Sequence, residues 1–282
     1  MIDAIRSAAK VLTMHSKQAG ISVIIPTLWA PGGSYVLKLI RKLSRHNQIG
    51  EIILIDNNPS AAPAIPEDLP KLRYLPQRQN LYVNPSWNLG VTKAQHPLIC
   101  LCNDDILPTA KLFKLACRTL GRNSKQPIGL IGVDKTCFEK KSKKAKPRIC
   151  NVKERRYAYG CLMLMRKASF QPIPEWLKIY SGDTWLFREQ IKQGRYNLAI
   201  AGLFIGQRSG QHSLSSSQPE FSPLKRADDA NFAILREHGM HESPPLFNAE
   251  VLETLRQIQA ELRGLRLLQE QLLSIQQVPP AA

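Results

Sequence analysis

Short apolar runs recur through the first half of the chain, and almost none of them alternates with polar residues. "ISVII" begins at residue 21, "EIILI" at 51, "LRYL" at 72, "LICLC" at 98 and "IGLIGV" at 128. A strand with one face in water alternates apolar and polar side chains; a strand that stays apolar throughout is covered on both faces. Between these runs lie helical patterns. "SYVLKLIRKLSRHN" has Ser34 as a candidate cap and apolar residues at 36, 37, 40 and 43, and "TAKLFKLACRTLG" follows Pro108, with Thr109 as cap, and stops at Gly121. Strand alternating with helix predicts an α/β fold, a mostly parallel sheet flanked by helices.

The second half is less regular. "YAYGCLMLM" (157–165) reads as a strand, "DTWLFREQIKQG" (183–194) as a helix closed by Gly194, and "NLAIAGLFI" (197–205) as another strand. "SGQHSLSSSQPEFSP" is polar loop. From Asn248 the texture changes: Val251, Leu255, Ile258, Leu262, Leu265, Leu268, Leu272 and Ile275 form the stripe of an amphipathic helix. Such a helix packs on its own domain or pairs with a second copy through 248–277. The expected organisation is a helical extension over 1–19, one domain over 20–245, and a C-terminal helix over 246–282.

Apolar residues make up 43% and charged residues 22% of the 282, as in a soluble globular protein. None of the six cysteines forms a Cys-x-x-Cys, so reduced core thiols are expected rather than a zinc site or a disulfide framework. The first twenty residues lack the apolar stretch of a signal peptide, and no window holds the ~18 apolar residues of a membrane span. A cytoplasmic protein is expected. The formal charge of +17 concerns partners rather than fold. It is concentrated in "FEKKSKKAKPRICNVKERR" (138–156), where nine Lys or Arg face two Glu. That segment is a solvated loop, or a surface for an anionic membrane, a phosphate-bearing acceptor or nucleic acid.

Ligands of an open parallel sheet bind at the carboxyl ends of its strands. There the first strand ends in Pro26-Thr27, the second in Asp56-Asn57-Asn58, and the strand at 98 in Asn103-Asp104-Asp105. Each alone suits a plain turn. Together they gather polar groups at one sheet edge. The adjacent carboxylates repel each other and resist desolvation, unless a divalent cation such as Mg2+ or Mn2+ sits on them and keeps positions open for a substrate's phosphates. No P-loop and no Gly-x-Gly-x-x-Gly is present.

"ISVIIPT", "IILIDNNPS", "NLYVNPSWNLGV" and "PLICLCNDDILP" follow in the order and spacing of family 2 glycosyltransferases of the GT-A fold, which the chain resembles over roughly residues 20 to 217. The resemblance implies that Pro26 and Thr27 open the nucleotide site, that Asp56 with Asn57 contacts the nucleoside, and that Asn80, Asn88 and Gly90 form the Asn-rich stretch. It makes Asn103-Asp104-Asp105 the metal motif, with Asp105 as ligand and Asp104 beside the donor. "YAYGCLMLMRKASF" resembles the strand under the acceptor site. In "YSGDTWLFREQIKQGR" Asp183 matches the catalytic base, and His212 matches a late His near the metal and diphosphate. Three departures stand out: Asn103 begins the metal motif, Gly182 replaces the usual acidic partner of the base, and the stretch from 80 to 90 lacks an early Gly.

The implied activity is a metal-dependent, inverting transfer of a sugar from a nucleotide-diphospho-sugar to a hydroxyl of a glycan, polysaccharide or lipid-linked saccharide, with Mn2+ or Mg2+ as cofactor. Asp183 also suits a helix N-cap, and Trp87 and Trp185 suit core packing better than sugar stacking. The competing reading is a GT-A-like scaffold without turnover that uses its basic segment as a binding surface; of the partners, nucleic acid is the least favoured.

Overall fold

The apolar runs do become strands covered on both faces. The computed structural model describes residues 20–29, 33–69, 71–121, 127–140, 146–208 and 222–238. Its strands are β1 (Ile21–Thr27), β2 (Ile49–Asp56), β3 (Leu72–Pro76), β4 (Leu98–Cys102), β5 (Ile106–Leu107), β6 (Ile128–Val133), β7 (Arg148–Val152), β8 (Leu162–Arg166), β9 (Tyr196–Ala201) and β10 (Gly206–Gln207). The helices are α1 (Ser34–Ser44), α2 (Val83–Lys93), α3 (Ala110–Leu120), α4 (Gly182–Lys192) and α5 (Ser222–His238). Eight strands form one sheet in the order β3-β2-β1-β4-β8-β6-β9-β7, and β5 pairs with β10 in a small antiparallel ribbon. The β3-β2-β1-β4 half is parallel; β8 runs antiparallel to β4 and β6, and β7 antiparallel to β9.

Every residue of β1, β4 and β6 is buried. Ile21, Val23 and Ile25 of β1 join one core with Val36, Leu39, Ile40 and Leu43 of α1 and Leu112, Phe113 and Ala116 of α3. Ile24 points the other way, because side chains alternate across a strand. It meets α2 at Gly90, where an added Cβ would lie 2.2 Å from Ile24 Cγ2, so the helix rests its backbone on the strand.

Three expectations shift, and one helix lies in a stretch whose pattern carried no helix signal. The stretch 83–93 forms α2 despite Pro85 and Gly90, poor helix formers, because tertiary contacts hold it: Asn88 Nδ2 donates to Ile173 O (2.7 Å) and Asn88 Oδ1 accepts from Ile173 N (2.9 Å). The strand expected over 157–165 begins only at Leu162. Before it, Tyr159 turns inward, its ring over Gly132 and its hydroxyl within reach of the Leu130 and Leu198 carbonyls (3.1 and 2.9 Å). The basic segment is not all loop, since Arg148–Val152 is the edge strand β7. Thr109 holds the expected N-cap position of α3 without a side-chain capping hydrogen bond, whereas Ser34 is the first residue of α1, behind Gly33.

The chain divides into two compact units, Met1–Phe232 and Ala233–Ala282, and the sheet belongs to the first. Of the second, only the end of α5 is described. The extension over 1–19, His212, Lys141–Lys144 and the stripe over 248–277 lie outside the described residues. All six cysteines are free, and burial pushes the thiols of Cys100, Cys102, Cys117, Cys137 and Cys161 upward.

At the amino ends of the strands, Glu51 organises a buried polar knot. It accepts from Ser22 Oγ (2.6 Å), Arg73 Nη1 (2.7 Å) and Gln95 N (2.6 Å), tying β1, β2, β3 and the turn before β4. Burial pushes its carboxyl up, but these hydrogen bonds outweigh that and hold it below the ordinary value of 4.5. A depressed pKa places its stabilisation above the unfolded value; the contribution drains away as pH falls through the folded one. Glu51→Ala should destabilise the fold by about 2–3 kcal/mol at pH 7, because Ser22 and Gln95 keep donors without partners. In parallel urea unfolding series the gap from wild type should shrink steadily below pH 4.5.

Candidate functional site

At the opposite, carboxyl end of the parallel strands lies a cleft of about 720 Å³, a size suited to a small organic ligand. Pro26 and Thr27 bring the end of β1 to it, Asn57 the end of β2, and Asn103, Asp104 and Asp105 the end of β4. Asn80, Tyr82 and Trp87 come from the approach to α2 and its first turns. Gly160 and Cys161 precede β8, Ser181 and Asp183 open α4, and Gln207 and Arg208 come from the β10 ribbon. Lys135, Phe138, Arg155 and Tyr157 complete the wall beyond β6 and β7.

Backbone strain concentrates here. Four described residues other than glycine adopt positive φ: Trp29 (55°), Tyr82 (67°), Ala158 (68°) and Ser181 (61°). The last three line the cleft, and Trp29 adjoins Leu28, which also lines it. Such conformations cost on the order of 1–3 kcal/mol each and gather where a ligand-binding shape over-determines the chain.

The carboxylate pair sits in the floor. Thr27 Oγ1 donates to Asp104 Oδ2 (2.7 Å) and accepts from Trp29 N (3.0 Å), fixing the end of β1 to the end of β4. Burial pushes the Asp104 carboxyl up to about 6, with Thr27 pulling the other way. Burial also raises Asp105, opposed by its own backbone, Gln207 and the charge of Arg208. Asp105 Oδ1 is buried with no hydrogen-bond partner. An unpartnered carboxylate oxygen beside a second carboxylate is what a divalent cation relieves. No cluster of three or more His, Cys, Asp or Glu side chains suited to a metal occurs among the described residues. The pair therefore fits an ion of the Mg2+ or Mn2+ kind, which takes one or two protein carboxylates and completes its shell with substrate phosphates and water.

Asp183 is the second residue of α4, behind the cap at Ser181, so the N-cap reading does not hold. Its Oδ1 accepts from Thr184 N (2.8 Å), and its Oδ2 is ion-paired to Arg155 Nε. Gly160 packs against it so closely that an added Cβ would lie 2.5 Å from Oδ2. Gly182, the position without the expected acid, is equally constrained: a Cβ there would come within 2.1 Å of Asn84 Oδ1. Asn84 fills that space and donates to Leu177 O and Tyr180 O (both 3.2 Å).

Seven of the ten residues expected at the site line the cleft: Pro26, Thr27, Asn57, Asn80, Asp104, Asp105 and Asp183. Two stand behind it. Asp56 is fully buried, accepting from Tyr74 Oη (2.5 Å) and Asn58 N (2.8 Å). Asn88 is corrected from donor contact to structural latch, since both ends of its amide are taken by Ile173. His212 lies outside the described residues. Asn57 and Asn80 shape the approach to α2: Asn57 Oδ1 accepts from Leu81 N (3.0 Å) and Asn80 Oδ1 from Tyr82 N (2.7 Å). Trp185 packs inside, donating to Pro172 O (3.2 Å), while Trp87 is almost buried yet touches the cleft.

Three residues escaped the sequence reading. Arg155 sat unmarked within the basic run. Asn84 stood one place before Pro85, inside the Asn-rich stretch. Asp228 carries no motif; its carboxylate, 1% exposed, accepts from Lys178 N (2.9 Å), Ile179 N (2.8 Å) and Tyr180 N (2.8 Å). It thereby pins the loop that delivers Ser181 and Asp183.

The profile of glycosyl transferase family 2 matches residues 22–193, more than half of the chain. No curated protein matches by sequence. Among solved structures, the fold is similar to mannosyltransferase PcManGT from Pyrobaculum calidifontis, in complex with GDP-Man and Mn2+. The TM-score is 0.53 at 11% identity, over 84% of this chain and 69% of that one. It is also similar to S. aureus TarS 1-349 in complex with UDP-GlcNAc, with a TM-score of 0.52 at 12% identity, over 77% and 66% of the two chains. Strand order, a cleft at the carboxyl edge and the family match agree: the chain belongs to glycosyl transferase family 2, with the GT-A fold.

Proposed function

We propose that the protein is a metal-dependent, inverting glycosyltransferase that moves a sugar from a nucleotide-diphospho-sugar to a hydroxyl acceptor. The observation that carries the reading is one cleft holding both the buried Asp104–Asp105 pair and Asp183. The complexes of PcManGT with GDP-Man and of TarS with UDP-GlcNAc support a nucleotide-sugar donor. The floor formed by Pro26, Thr27, Asn57 and Asn80 receives the nucleoside, with Asp56 holding the Asn58 backbone behind it.

Asp104 and Asp105 would hold a Mn2+ or Mg2+ ion, which supplies charge neutralisation for the departing diphosphate. His212 is a further candidate ligand. Asp183 takes the proton of the acceptor hydroxyl as that oxygen bonds to the anomeric carbon and the bond from that carbon to the phosphate oxygen breaks. A single carboxylate suffices, so Gly182 is no obstacle. The protein acts in the cytoplasm, with the 138–156 segment touching the inner face of the membrane and the 248–277 stripe pairing two copies. No helix of the described residues is long and apolar enough to cross a membrane.

Nucleoside diphosphates should raise the melting temperature only in the presence of Mn2+ or Mg2+, since a ligand that binds the folded state alone stabilises it. Asp105→Ala should remove that cation-dependent shift. Asp183→Asn should lower sugar transfer by about 10²–10⁴-fold with the nucleotide shift unchanged. Full transfer by Asp183→Asn would defeat the proposed base, and salt-sensitive DNA binding without any donor turnover would favour the scaffold reading. Replacing Lys140, Lys141, Lys143 and Lys144 by Gln should weaken sedimentation with phosphatidylserine vesicles by about 10-fold or more, at roughly 1 kcal/mol per charge.

A further inference from the structure

The proposed base is not free to act as it stands. Of its two carboxylate oxygens, Oδ1 is engaged by Thr184 N and Oδ2 by Arg155 Nε, and Gly160 packs close beside Oδ2. Arg155 lines the same cleft and competes with an acceptor hydroxyl for Oδ2. The Arg155 side chain is 37% exposed against 11% for Asp183, so the guanidinium is the partner within easier reach of an incoming ligand. Its neighbour Arg156 turns away to Asp134 (3.3 Å) and does not compete. The wall around Arg155 carries Lys135 and the 64% exposed ring of Tyr157, cationic and aromatic together.

A guanidinium leaves one anion most readily for another that offers the same forked geometry, and a neutral sugar offers none. We infer that Arg155 is a specificity-determining residue that selects an acceptor saccharide bearing a carboxylate or phosphate, and that its transfer to that anion releases Asp183 for the acceptor hydroxyl. The inference rests on Asp183 being the base. It adds what the donor half of the cleft does not supply: the chemical class of the acceptor and the event that arms the base. An acceptor without the anion leaves Arg155 on Asp183 and the base blocked, which also guards the donor against water.

The test is calorimetric titration of the full chain with three probes: methyl glucuronide, glucose 6-phosphate and methyl glucoside. At least one anionic probe should bind about tenfold tighter than the glucoside, and the tighter of the two identifies the carboxylate or the phosphate as the natural group. Arg155→Gln should abolish the preference, whereas Lys114→Gln, on the exposed face of α3 outside the cleft, should keep it. Asp183→Asn should tighten anion binding severalfold, because the carboxylate competing for Arg155 has lost its charge. Equal affinity for all three probes, no measurable anion binding, a preference that survives Arg155→Gln, or anion binding unchanged in Asp183→Asn would each overturn the inference. The base assignment fails separately, by sugar transfer that persists in Asp183→Asn.

Discussion

A sheet whose strands are apolar from end to end has nowhere to put polar chemistry except at its tips. That constraint governs this molecule. With α1 and α3 over one face and α2 on the other, the buried strands can offer hydrogen-bonding side chains only where they run out. The amino ends use that opportunity for cohesion, in the knot around Glu51. The carboxyl ends leave theirs incompletely satisfied. Asp105 Oδ1 is buried without a partner, and three strained backbone positions line the same cleft. One edge of the sheet is finished, and the other is prepared for a ligand.

The difference between the two sides of the cleft follows from the strand order. The parallel β3-β2-β1-β4 half contributes Pro26, Thr27, Asn57 and the acidic pair, all at points where a strand ends. The mixed β8-β6-β9-β7 half contributes no strand tips of the same kind. Its side of the cleft is built from turns and loops: Lys135 after β6, Arg155 and Tyr157 after β7, Gly160 before β8. Strand tips are fixed by ladder hydrogen bonds, and turns are not, so the side built from β1, β2 and β4 is the firmer frame.

That same division explains what could be read from the chain. Strand tips are visible in sequence because an apolar run ends abruptly in Asn or Asp, and the fold class follows from the runs themselves. The α2 helix was hidden because its propensity is poor: Pro85 and Gly90 argue against a helix, and only the Asn88–Ile173 bonds and the close contact with Ile24 argue for one. Asn88 was misread for the same reason, since its partner lies 85 positions away. Arg155 looked like one cation among nine. Its pairing with Asp183 depends on β7 forming an edge strand that turns the following residues back over the cleft. Gly182 looked like a loss of function, whereas in space it is the gap that Asn84 requires.

Asp228 carries the least advertised consequence. Its three backbone bonds make α5 a clamp on the loop ahead of Asp183, yet the family match stops at residue 193. A shortened version cut at the edge of the family match would keep Asp104, Asp105 and Asp183 and discard the brace behind them, along with β9. The smallest self-sufficient catalytic piece of this chain is therefore longer than its signature suggests.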